Sequence, residues 1–394
     1  MIFKKIKTID IFLILVIITV IALIAHFTLI ARNQFFRFIY PVEAILSKNS
    51  INCSANSPNW MRSSIIYSIE NNGSLANQLV YITQKGKTYH CESGWKDFPL
   101  FSEHINEHTR YRYASLTKPI TASLVLKMID EKKLKLDDHL VKYLPELKHF
   151  DDNRIKDIKI ENLLTHTSGF DRLKSNDPLF NTNEKPWCPF DLKKLESIRL
   201  DHAPSQKYTY DNRNYCLLSV VIERIEKQDF RKVLQDGFIL SQQKIQFISG
   251  PFLADEVKYD FRNEPIFTDH YTEIFNFDAL APVAGLSGSA KSYAEFIYNH
   301  SRQKLSILSN SDIYTNCQLN KINSCFTLGL SRYQLNKNTL QVSWHDGGLP
   351  AANSLVILDD KGGVTVWTGN GATPEKTKEY AFFKYLYQAL DSFY

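Results

Sequence analysis

The spacing of apolar and polar residues predicts a protein that mixes strands and helices. Residues 79–83 and 87–91 have strand character, and Lys85-Gly86 between them predicts a hairpin turn. Residues 120–134 carry apolar side chains at helical spacing and predict a helix. Residues 375–392 predict a closing helix with aromatic side chains available for packing. Further segments with strand character lie at residues 326–334, 339–344, 353–358 and 363–367.

A long apolar run lies near the N-terminus, at residues 11–30, and is interrupted by Thr19, His26 and Thr28. About 20 such residues span the core of a bilayer. A cleavable signal peptide has a shorter apolar region and a small-residue cleavage site, and neither is evident. The run therefore predicts an uncleaved anchor over residues 1–31, with a buried core helix as the alternative. Three lysines precede the run and two arginines follow it, which favours a cytoplasmic N-terminus.

Composition and charge exclude one class of partner. The chain has 394 residues, 44% of them hydrophobic, and this is enough for a large buried core. Its formal net charge is +5, but Lys4, Lys5 and Lys7 lie ahead of the apolar run. No basic stripe of the kind that nucleic-acid binding requires is present. We therefore expect no nucleic-acid partner.

Six cysteines, an even number, are compatible with disulfides on the far side of a membrane. Cys317 and Cys325 bracket a short polar loop and are predicted to pair. Cys53 with Cys91 is a second predicted pair. Cys216 lies on an apolar helical run and is predicted to be a buried free thiol. The chain has no C-x-x-C motif, so neither a zinc ribbon nor a thioredoxin-type centre is indicated.

The most informative motif is S-x-x-K at residues 115–118, just ahead of the predicted helix. Residues three apart lie on the same face of a helix, so the amine of Lys118 can reach the hydroxyl of Ser115. A serine hydroxyl becomes a good nucleophile when a neighbouring base takes its proton. The N-terminus of a helix also favours an oxyanion. The motif predicts a serine nucleophile, although these four letters also occur by chance.

Two further motifs follow in order. Y-D-N at 210–212 precedes an apolar helical run, and H-D-G at 345–347 precedes a strand-like run at 354–358. The order S-x-x-K, Y-x-N, H-x-G resembles the serine penicillin-recognising hydrolases, which are the class C β-lactamases, the D-Ala-D-Ala peptidases and related esterases. The resemblance runs from about residue 79 to the C-terminus. Segments that also resemble the family lie at residues 134–146, 163–170 and 284–290.

The resemblance implies the β-lactamase/transpeptidase-like fold, which is classed as α/β (α+β). In this fold an antiparallel sheet is flanked by helices and carries an inserted, mainly helical subdomain, here at about residues 137–277. The hydrolase domain is then expected over residues 75–394. A linker over residues 32–74 would join it to the anchor.

The resemblance also implies roles for individual residues. Ser115 would attack a carbonyl group and carry the acyl group. Lys118 and Tyr210 would handle the proton, and either of them could be the base; an ammonium beside the tyrosine would favour its phenolate form. Asn212 would form hydrogen bonds with Lys118 and with the substrate amide.

The H-x-G segment would form the opposite side of the site. By analogy with the family, the backbone N–H groups of Ser115 and Gly348 form the oxyanion hole. Gly347 and Gly348 let the substrate approach the strand closely. His345 is a substrate-binding position where relatives often carry lysine, and it is mostly neutral at pH 7. Asp346 adds negative charge close to where a β-lactam or peptide carboxylate would sit, which weakens the case for an efficient β-lactamase and leaves esters, amides or less anionic substrates open.

Other sequence features favour different chemistry less strongly. H-x-x-E-H at 104–108 fits an inverted zinc-protease pattern, but it runs directly into the segment ahead of Ser115, and no downstream acidic ligand helix follows. His166 is more typical of a structural role. No G-x-S-x-G motif is present, which argues against an α/β-hydrolase triad. We expect no metal and no organic cofactor.

Taken together, the residues and the resemblance predict a membrane-anchored serine hydrolase that faces the periplasm or the cell exterior. Its substrate would be a small molecule or a peptidoglycan peptide, and it would act as a D-Ala-D-Ala carboxypeptidase or β-lactamase-like enzyme. Two alternatives stay open. One is a carboxylesterase of the same fold, and the other is an inactive relative that binds cell-wall peptides or a protein partner.

Overall fold

The computed structural model describes residues 8–25, 32–180, 184–303, 305–309, 317–372 and 380–394. The helices are α1 Thr8–Ala25, α2 Arg32–Asn49, α3 Asn59–Asn71, α4 Thr117–Asp130, α5 Ile160–Leu164, α6 Trp187–Phe190, α7 Arg213–Glu226, α8 Phe230–Phe238, α9 Tyr271–Ile274, α10 Phe277–Ala284, α11 Ala290–His300 and α12 Ala381–Asp391. The strands are β1 Asn52–Cys53, β2 Asn77–Ile82, β3 Thr88–Ser93, β4 Tyr111–Arg112, β5 Gln246–Phe247, β6 Leu286–Gly288, β7 Cys325–Phe326, β8 Ser331–Tyr333, β9 Val342–Leu349, β10 Ala352–Asp359 and β11 Val364–Gly369.

An antiparallel sheet in the order β1-β3-β2-β11-β10-β9-β8-β7 divides the protein into two hydrophobic cores. Successive side chains of a strand point to opposite faces. Val80 and Ile82 of β2 therefore enter one core, while Leu79 and Tyr81 enter the other. The predicted mixed α/β architecture with an antiparallel sheet is confirmed.

Helices cover both faces of this sheet. On one face, α11 packs on β2 and β11, and α4 lies against α7, α8 and α10. On the other face, α3 packs on β2 and β3 and also contacts α12. The second, smaller sheet has the order β4-β6-β5, and its strand β4 ends shortly before the S-x-x-K motif. Most of α4 is buried, and Pro119 lies in its first turn, where backbone N–H groups have no helical partner.

Several element boundaries differ from the sequence-based expectation. The predicted strand 339–344 is β9 Val342–Leu349, so the H-x-G motif lies inside a strand rather than before one. The ladder to β10 holds this glycine-containing segment extended in spite of its low strand propensity. The closing helix begins at Ala381, and predicted residues 375–379 lie outside the described residues.

The N-terminal region departs from the prediction in two ways. Among the described residues, no helix combines the length and the apolar content that crossing a membrane requires. Helix α1 covers the apolar run only as far as Ala25, and residues 1–7 and 26–31 lie outside the described part, which therefore does not support the predicted anchor. The predicted linker over 32–74 contains α2, β1 and α3. Met61, Ile65 and Ile69 of α3 are four residues apart and are buried on the sheet.

All six cysteines form disulfides. Cys53–Cys91 and Cys317–Cys325 are confirmed as the two predicted pairs. The expectation of a free thiol at Cys216 is wrong, since its sulfur bonds to Cys188. Cys216 is buried as its apolar surroundings predict, but its partner lies on α6, which no local pattern connects with α7.

Removing the Cys188–Cys216 bond by a double serine substitution is expected to lower the free energy of unfolding by about 3 kcal/mol. The two cysteines are separated by 28 residues, so the bond restricts a long loop in the unfolded chain. Urea denaturation without reductant measures the effect. The matched control removes Cys317–Cys325, whose separation of 8 predicts a smaller loss. A larger loss in the control would contradict this ranking.

Candidate active site

A tight turn presents Ser115 at the N-terminal end of α4. Residues Ala114–Leu116 form a 3-10 turn between β4 and α4. Ala114 is fully buried and has φ of 49°, a left-handed conformation that is unusual for a residue with a side chain. The turn packs against β9 and β10. Strained backbone of this kind persists where its surroundings hold it, and here it immediately precedes Ser115, which is partly buried.

Three predicted site residues meet at this hydroxyl. The Nζ atom of Lys118 lies 3.0 Å from Ser115 Oγ, and the Tyr210 hydroxyl donates to the same Oγ at 3.0 Å. Lys118 Nζ also donates to the carbonyl oxygen of Val283 at 3.2 Å. Lys118 is fully buried, whereas Ser115 and Tyr210 are partly buried. The hydroxyl is thus in contact with an amine and a phenol and is still reachable from solvent.

The surroundings of the amine and the phenol change the pKa of each group, and both changes favour the uncharged form. Burial lowers the pKa of Lys118 well below its usual range, and the nearby Arg172 guanidinium lowers it further. Burial raises the pKa of Tyr210 above its usual range. The neutral amine and the protonated phenol are therefore the favoured forms. A neutral amine has a lone pair that can accept the Ser115 proton while its N–H bonds to Val283.

Asn212 lies at the start of α7, two residues after Tyr210. Its Nδ2 donates to Asp177 Oδ2 at 2.6 Å, in place of the hydrogen bond to Lys118 that the resemblance implied. Its Oδ1 is buried and has no hydrogen-bond partner among the described residues. A buried acceptor without a donor is costly, so Asn212 is suited to accept from a donor such as a substrate amide N–H.

His345 is a neutral acceptor beside the Tyr210 phenol. Its Nδ1–H donates to the backbone carbonyl of Asp346 at 2.6 Å, so Nε2 carries the lone pair. This Nε2 is buried and has no partner among the described residues. Burial, aided by Lys118, lowers the pKa of His345 to about 3. The ring centroids of His345 and Tyr210 are 5.9 Å apart.

The two glycines of β9 differ in their surroundings. Gly347 pairs with Ser354 of β10, whose Oγ donates to the Tyr113 carbonyl at 2.7 Å. A Cβ at Gly347 would overlap this carbonyl and lie 3.1 Å from Ser115 N. A Cβ at Gly348 would meet only Asn353 Oδ1, at 3.8 Å. Gly347 therefore allows β9 to lie directly against the nucleophile turn.

Beside Ser115, one edge of β9 has no strand partner among the described residues. In the described part of the chain, β8 pairs with β9 at Val342, Ser343 and Trp344. The following residues of β9, which include Gly348, pair with β10 on the other side. Backbone N–H groups at this edge and at the start of α4 are suited to stabilise a developing oxyanion.

Replacing Gly347 by alanine is expected to lower the rate of Ser115 acylation by about 10²-fold or more. The added methyl group forces β9 away from Ser115, and a displacement of about 1 Å at a reacting centre has an effect of this size. The acylation rate is measured by intact-mass spectrometry over time. Gly348→Ala is the matched control for packing against the turn that carries Ser115, because its methyl group would meet only Asn353 Oδ1, at 3.8 Å. Equal losses in the two variants would contradict the assignment.

Sequence reasoning set aside His166, which the structure places against Tyr210. The two ring centroids are 4.5 Å apart. His166 is fully buried, and its Nδ1 accepts from the Asp211 backbone N–H at 3.2 Å and from Asn214 Nδ2 at 3.0 Å. Its carbonyl accepts from the Thr209 N–H at 3.0 Å. His166 therefore holds the turn that carries Tyr210, which agrees with a structural role.

Two charged residues near Tyr210 were missed by sequence reasoning. The guanidinium carbon of Arg172 lies 4.8 Å from the centroid of the Tyr210 ring, and Asp177 accepts from Asn212. Both follow the framing segment 163–170 closely in sequence. That proximity is the one sequence signal for them, because loop residues follow no hydrophobic period.

The H-x-x-E-H segment has no metal-binding arrangement. The His104 ring packs on Trp95, with centroids 4.9 Å apart, and Glu107 forms an ion pair with Lys291. The segment is a loop and not a helix, so its histidines do not share a helical face. Within the ranges that the structure describes, no three His, Cys, Asp or Glu side chains could hold a metal ion together.

Comparison with known proteins gives consistent results. The sequence model of the beta-lactamase family matches residues 73–386. The probable fimbrial assembly protein FimD, serogroup H1, of Dichelobacter nodosus is 36% identical over 394 residues, which are 99% of each chain.

Two solved structures show the same fold. The beta-lactamase/D-alanine carboxypeptidase from Yersinia pestis has a TM-score of 0.65 and 17% identity, and the match covers 85% of this chain and 99% of the other. The D-amino acid amidase from Ochrobactrum anthropi SV3, complexed with L-phenylalanine, has a TM-score of 0.63 and 16% identity, with 82% and 94% covered. At these identities the likeness concerns the fold alone.

Proposed function

Because this chain belongs to the beta-lactamase family, we propose that it is a serine acyl hydrolase that forms an acyl-enzyme on Ser115. One observation carries the proposal. The Ser115 hydroxyl lies 3.0 Å from both the Lys118 amine and the Tyr210 hydroxyl. These contacts join the first two motifs across 95 residues of chain. A nucleophile needs a base within hydrogen-bond reach, and Ser115 has one.

The first step would transfer the Ser115 proton to the neutral Lys118 amine as Oγ attacks the substrate carbonyl carbon. The lowered pKa of Lys118 and the raised pKa of Tyr210 favour the amine as base over the phenolate. Tyr210, which keeps its proton, would then donate it to the leaving group. Lys118 would reprotonate Tyr210, so that both groups return to their starting forms.

The carbonyl oxygen becomes an anion during this attack. Backbone N–H groups of Ser115 and Gly348 would donate to it, since β9 lies directly against the nucleophile turn at Gly347. Asn212 Oδ1, which has no protein donor, would accept from the substrate N–H. In the second step a water molecule would attack the acyl carbon and lose its proton to Lys118. The bond between the acyl carbon and Ser115 Oγ would then break, and the proton would pass from Lys118 to Oγ as the acid leaves.

The similar structures favour an amide substrate. Asn212 Oδ1 offers an acceptor for an N–H group of the substrate. The similar structures bear the names of a D-alanine carboxypeptidase and a D-amino acid amidase, which act on amides. We therefore propose a carboxypeptidase or amidase activity on a small molecule or a peptidoglycan peptide, with an esterase as the alternative. The three disulfides support a location in an oxidising compartment, the periplasm or the cell exterior.

The relatives support a second candidate function. Proteins that are 36% identical over 99% of the chain bear the name of fimbrial assembly proteins. A protein of this kind could bind a cell-wall peptide or a protein partner without turnover. The intact contact of Ser115, Lys118 and Tyr210 favours the hydrolase, because binding alone does not require a base at a serine.

Intact-mass spectrometry of the protein exposed to benzylpenicillin and to a phenyl ester of an acylated D-amino acid tests the proposal. The expected result is a mass increase equal to one acyl group, absent in Ser115→Ala. Ser123→Ala is the matched control, because Ser123 lies on the same helix and its Oγ donates to Pro119.

Each outcome has a distinct meaning. An adduct on wild type and on Ser123→Ala, but not on Ser115→Ala, supports the acyl-enzyme. If only the ester is turned over, we would conclude that the protein is an esterase. No adduct and no turnover with either compound contradicts the hydrolase and leaves the binding function.

A further inference from the structure

Arg172 lies beside the catalytic phenol. Its guanidinium carbon is 4.8 Å from the centroid of the Tyr210 ring. The hydroxyl of the same ring donates to Ser115 Oγ at 3.0 Å. A single phenol ring therefore separates a guanidinium group from the proposed nucleophile.

The turn that carries this arginine is braced by charged and polar contacts. The backbone N–H of Asp171 donates to the Asp201 carboxylate at 3.0 Å, and the Asp171 carboxylate lies 3.2 Å from His202 Nε2. Ser175 Oγ donates to Asp201 at 2.7 Å and accepts from Arg213 Nη2 at 2.8 Å. Arg213 directly follows the Y-x-N motif, so the turn and the motif are held together. The guanidinium thus starts from a fixed backbone position, which reduces the entropy lost when it binds a ligand.

The guanidinium of Arg172 is available to a ligand. The residue is exposed, and in the described part of the chain no carboxylate forms an ion pair with it. A guanidinium is always charged and presents its donors in a planar fork that matches a carboxylate. Charge-assisted pairs of this geometry are among the strongest hydrogen bonds in proteins.

Other groups near Tyr210 are poorly suited to bind an anion. Lys118 is buried and is already in contact with Ser115 and Val283. His345 donates its Nδ1–H to a backbone carbonyl and presents only a lone pair.

We propose that Arg172 binds a carboxylate of the substrate and thereby selects anionic substrates. This inference rests on the proposed function, since the carboxylate belongs to a molecule whose carbonyl reaches Ser115. The anion would be held beside the Tyr210 ring, where the Arg172 guanidinium lies. Arg172 would then determine specificity without taking part in proton transfer.

Two boronic acids that form a reversible tetrahedral adduct with a reactive serine test the inference. One is 3-carboxyphenylboronic acid, and its neutral match is 3-carbamoylphenylboronic acid. Isothermal titration calorimetry measures both dissociation constants on the full chain. We expect the wild type to bind the carboxylate at least about 10-fold more tightly than the carboxamide.

Variants assign the preference to one side chain. Arg172→Gln is expected to reduce the ratio of the two dissociation constants to about 1, and Arg172→Lys to retain part of it. Lys174→Gln is the matched control, because this exposed cation lies two residues further along the same turn and its backbone N–H donates to Asp171. It should leave the ratio unchanged. The melting temperature of each variant verifies that it is folded.

Two results would overturn the inference and leave the proposed function intact. One is a wild-type ratio near 1 with both acids bound, and the other is a ratio that survives Arg172→Gln. Equal weakening of both acids in Arg172→Gln would instead assign Arg172 to the support of Tyr210. Failure of both acids to bind, together with no acyl adduct on Ser115, would reject the proposed function itself.

Discussion

Replacing Lys118 by methionine is expected to lower the rate of Ser115 acylation by about 10³-fold or more. A positioned base contributes about 10² to 10⁴-fold, and Lys118 is the base that the described geometry favours. Methionine is similar in length and apolar, so it fills the same buried space without a charge. Time-resolved intact-mass spectrometry measures acylation, and thermal denaturation verifies the fold.

The matched control is Lys127→Met. Lys127 lies on the same helix, and its Nζ donates to the Gly237 carbonyl at 2.7 Å, away from Ser115. It should keep the acylation rate, because its amine does not contact Ser115. A loss of equal size in the control would contradict the assignment of Lys118, as would a larger loss in Tyr210→Phe than in Lys118→Met.

The dependence of acylation on pH provides a separate measurement. The amine accepts a proton only when neutral, so the rate is expected to fall as the pH drops through the lowered pKa of Lys118, well below the usual 10.5. It falls again as the pH rises through the raised pKa of Tyr210, above the usual 10.0, where the leaving group loses its donor. His345, with a pKa of about 3, should add no inflection between about pH 5 and 8. An acid limb that disappears in Tyr210→Phe would contradict Lys118 as the base.

Replacing Arg112 by methionine is expected to lower the free energy of unfolding by about 3–5 kcal/mol. Its Nε donates to Glu256 Oε1 at 2.8 Å, and both side chains are 0% exposed. Its Nη2 donates to the Gly250 carbonyl at 2.7 Å, and its guanidinium carbon lies 4.5 Å from the centroid of the Phe252 ring. Removing the arginine leaves the Glu256 carboxylate buried without its cation. Urea denaturation measures the change.

Two further variants separate the buried charge from general packing. Arg112→Met combined with Glu256→Gln should recover part of the loss, because the second change removes the uncompensated charge. Arg110→Met should lose less, since its partner Asp255 is 59% exposed and is solvated once the arginine is gone. If the double variant is no more stable than Arg112→Met, the buried charge is not the cause.

Short sequence motifs were sufficient to predict one contact in the site. The contact between Lys118 and Ser115 follows from their spacing of three residues at the start of a helix, and the structure places the two atoms 3.0 Å apart. The burial of Cys216 likewise follows from the apolar run around it. Its bond to Cys188 does not, because the two residues are on different helices and only packing brings them together.

Contacts between distant segments required either the resemblance or the structure. Tyr210 meets Ser115 across 95 residues, and no pattern in either segment specifies that distance. The resemblance implied that Tyr210 contacts Ser115. It also implied a hydrogen bond between Asn212 and Lys118, but the structure shows that Asn212 donates to Asp177 instead. Arg172 was missed because an exposed arginine in a turn resembles any other solvated charge.

The sequence by itself determined the structural elements that depend only on residues close together in the chain. These are the strands 79–83 and 87–91, the helix that carries Lys118, and the spacing that places its amine over Ser115. Periodicity and helix geometry act within a few residues, so they can be read from the chain. Tertiary structure alone decided that Gly347 and Gly348 lie within a strand, because hydrogen bonds to β10 outweigh their weak strand propensity. It also decided the protonation of Lys118, since the pKa of an amine depends on how completely the folded protein excludes water from it.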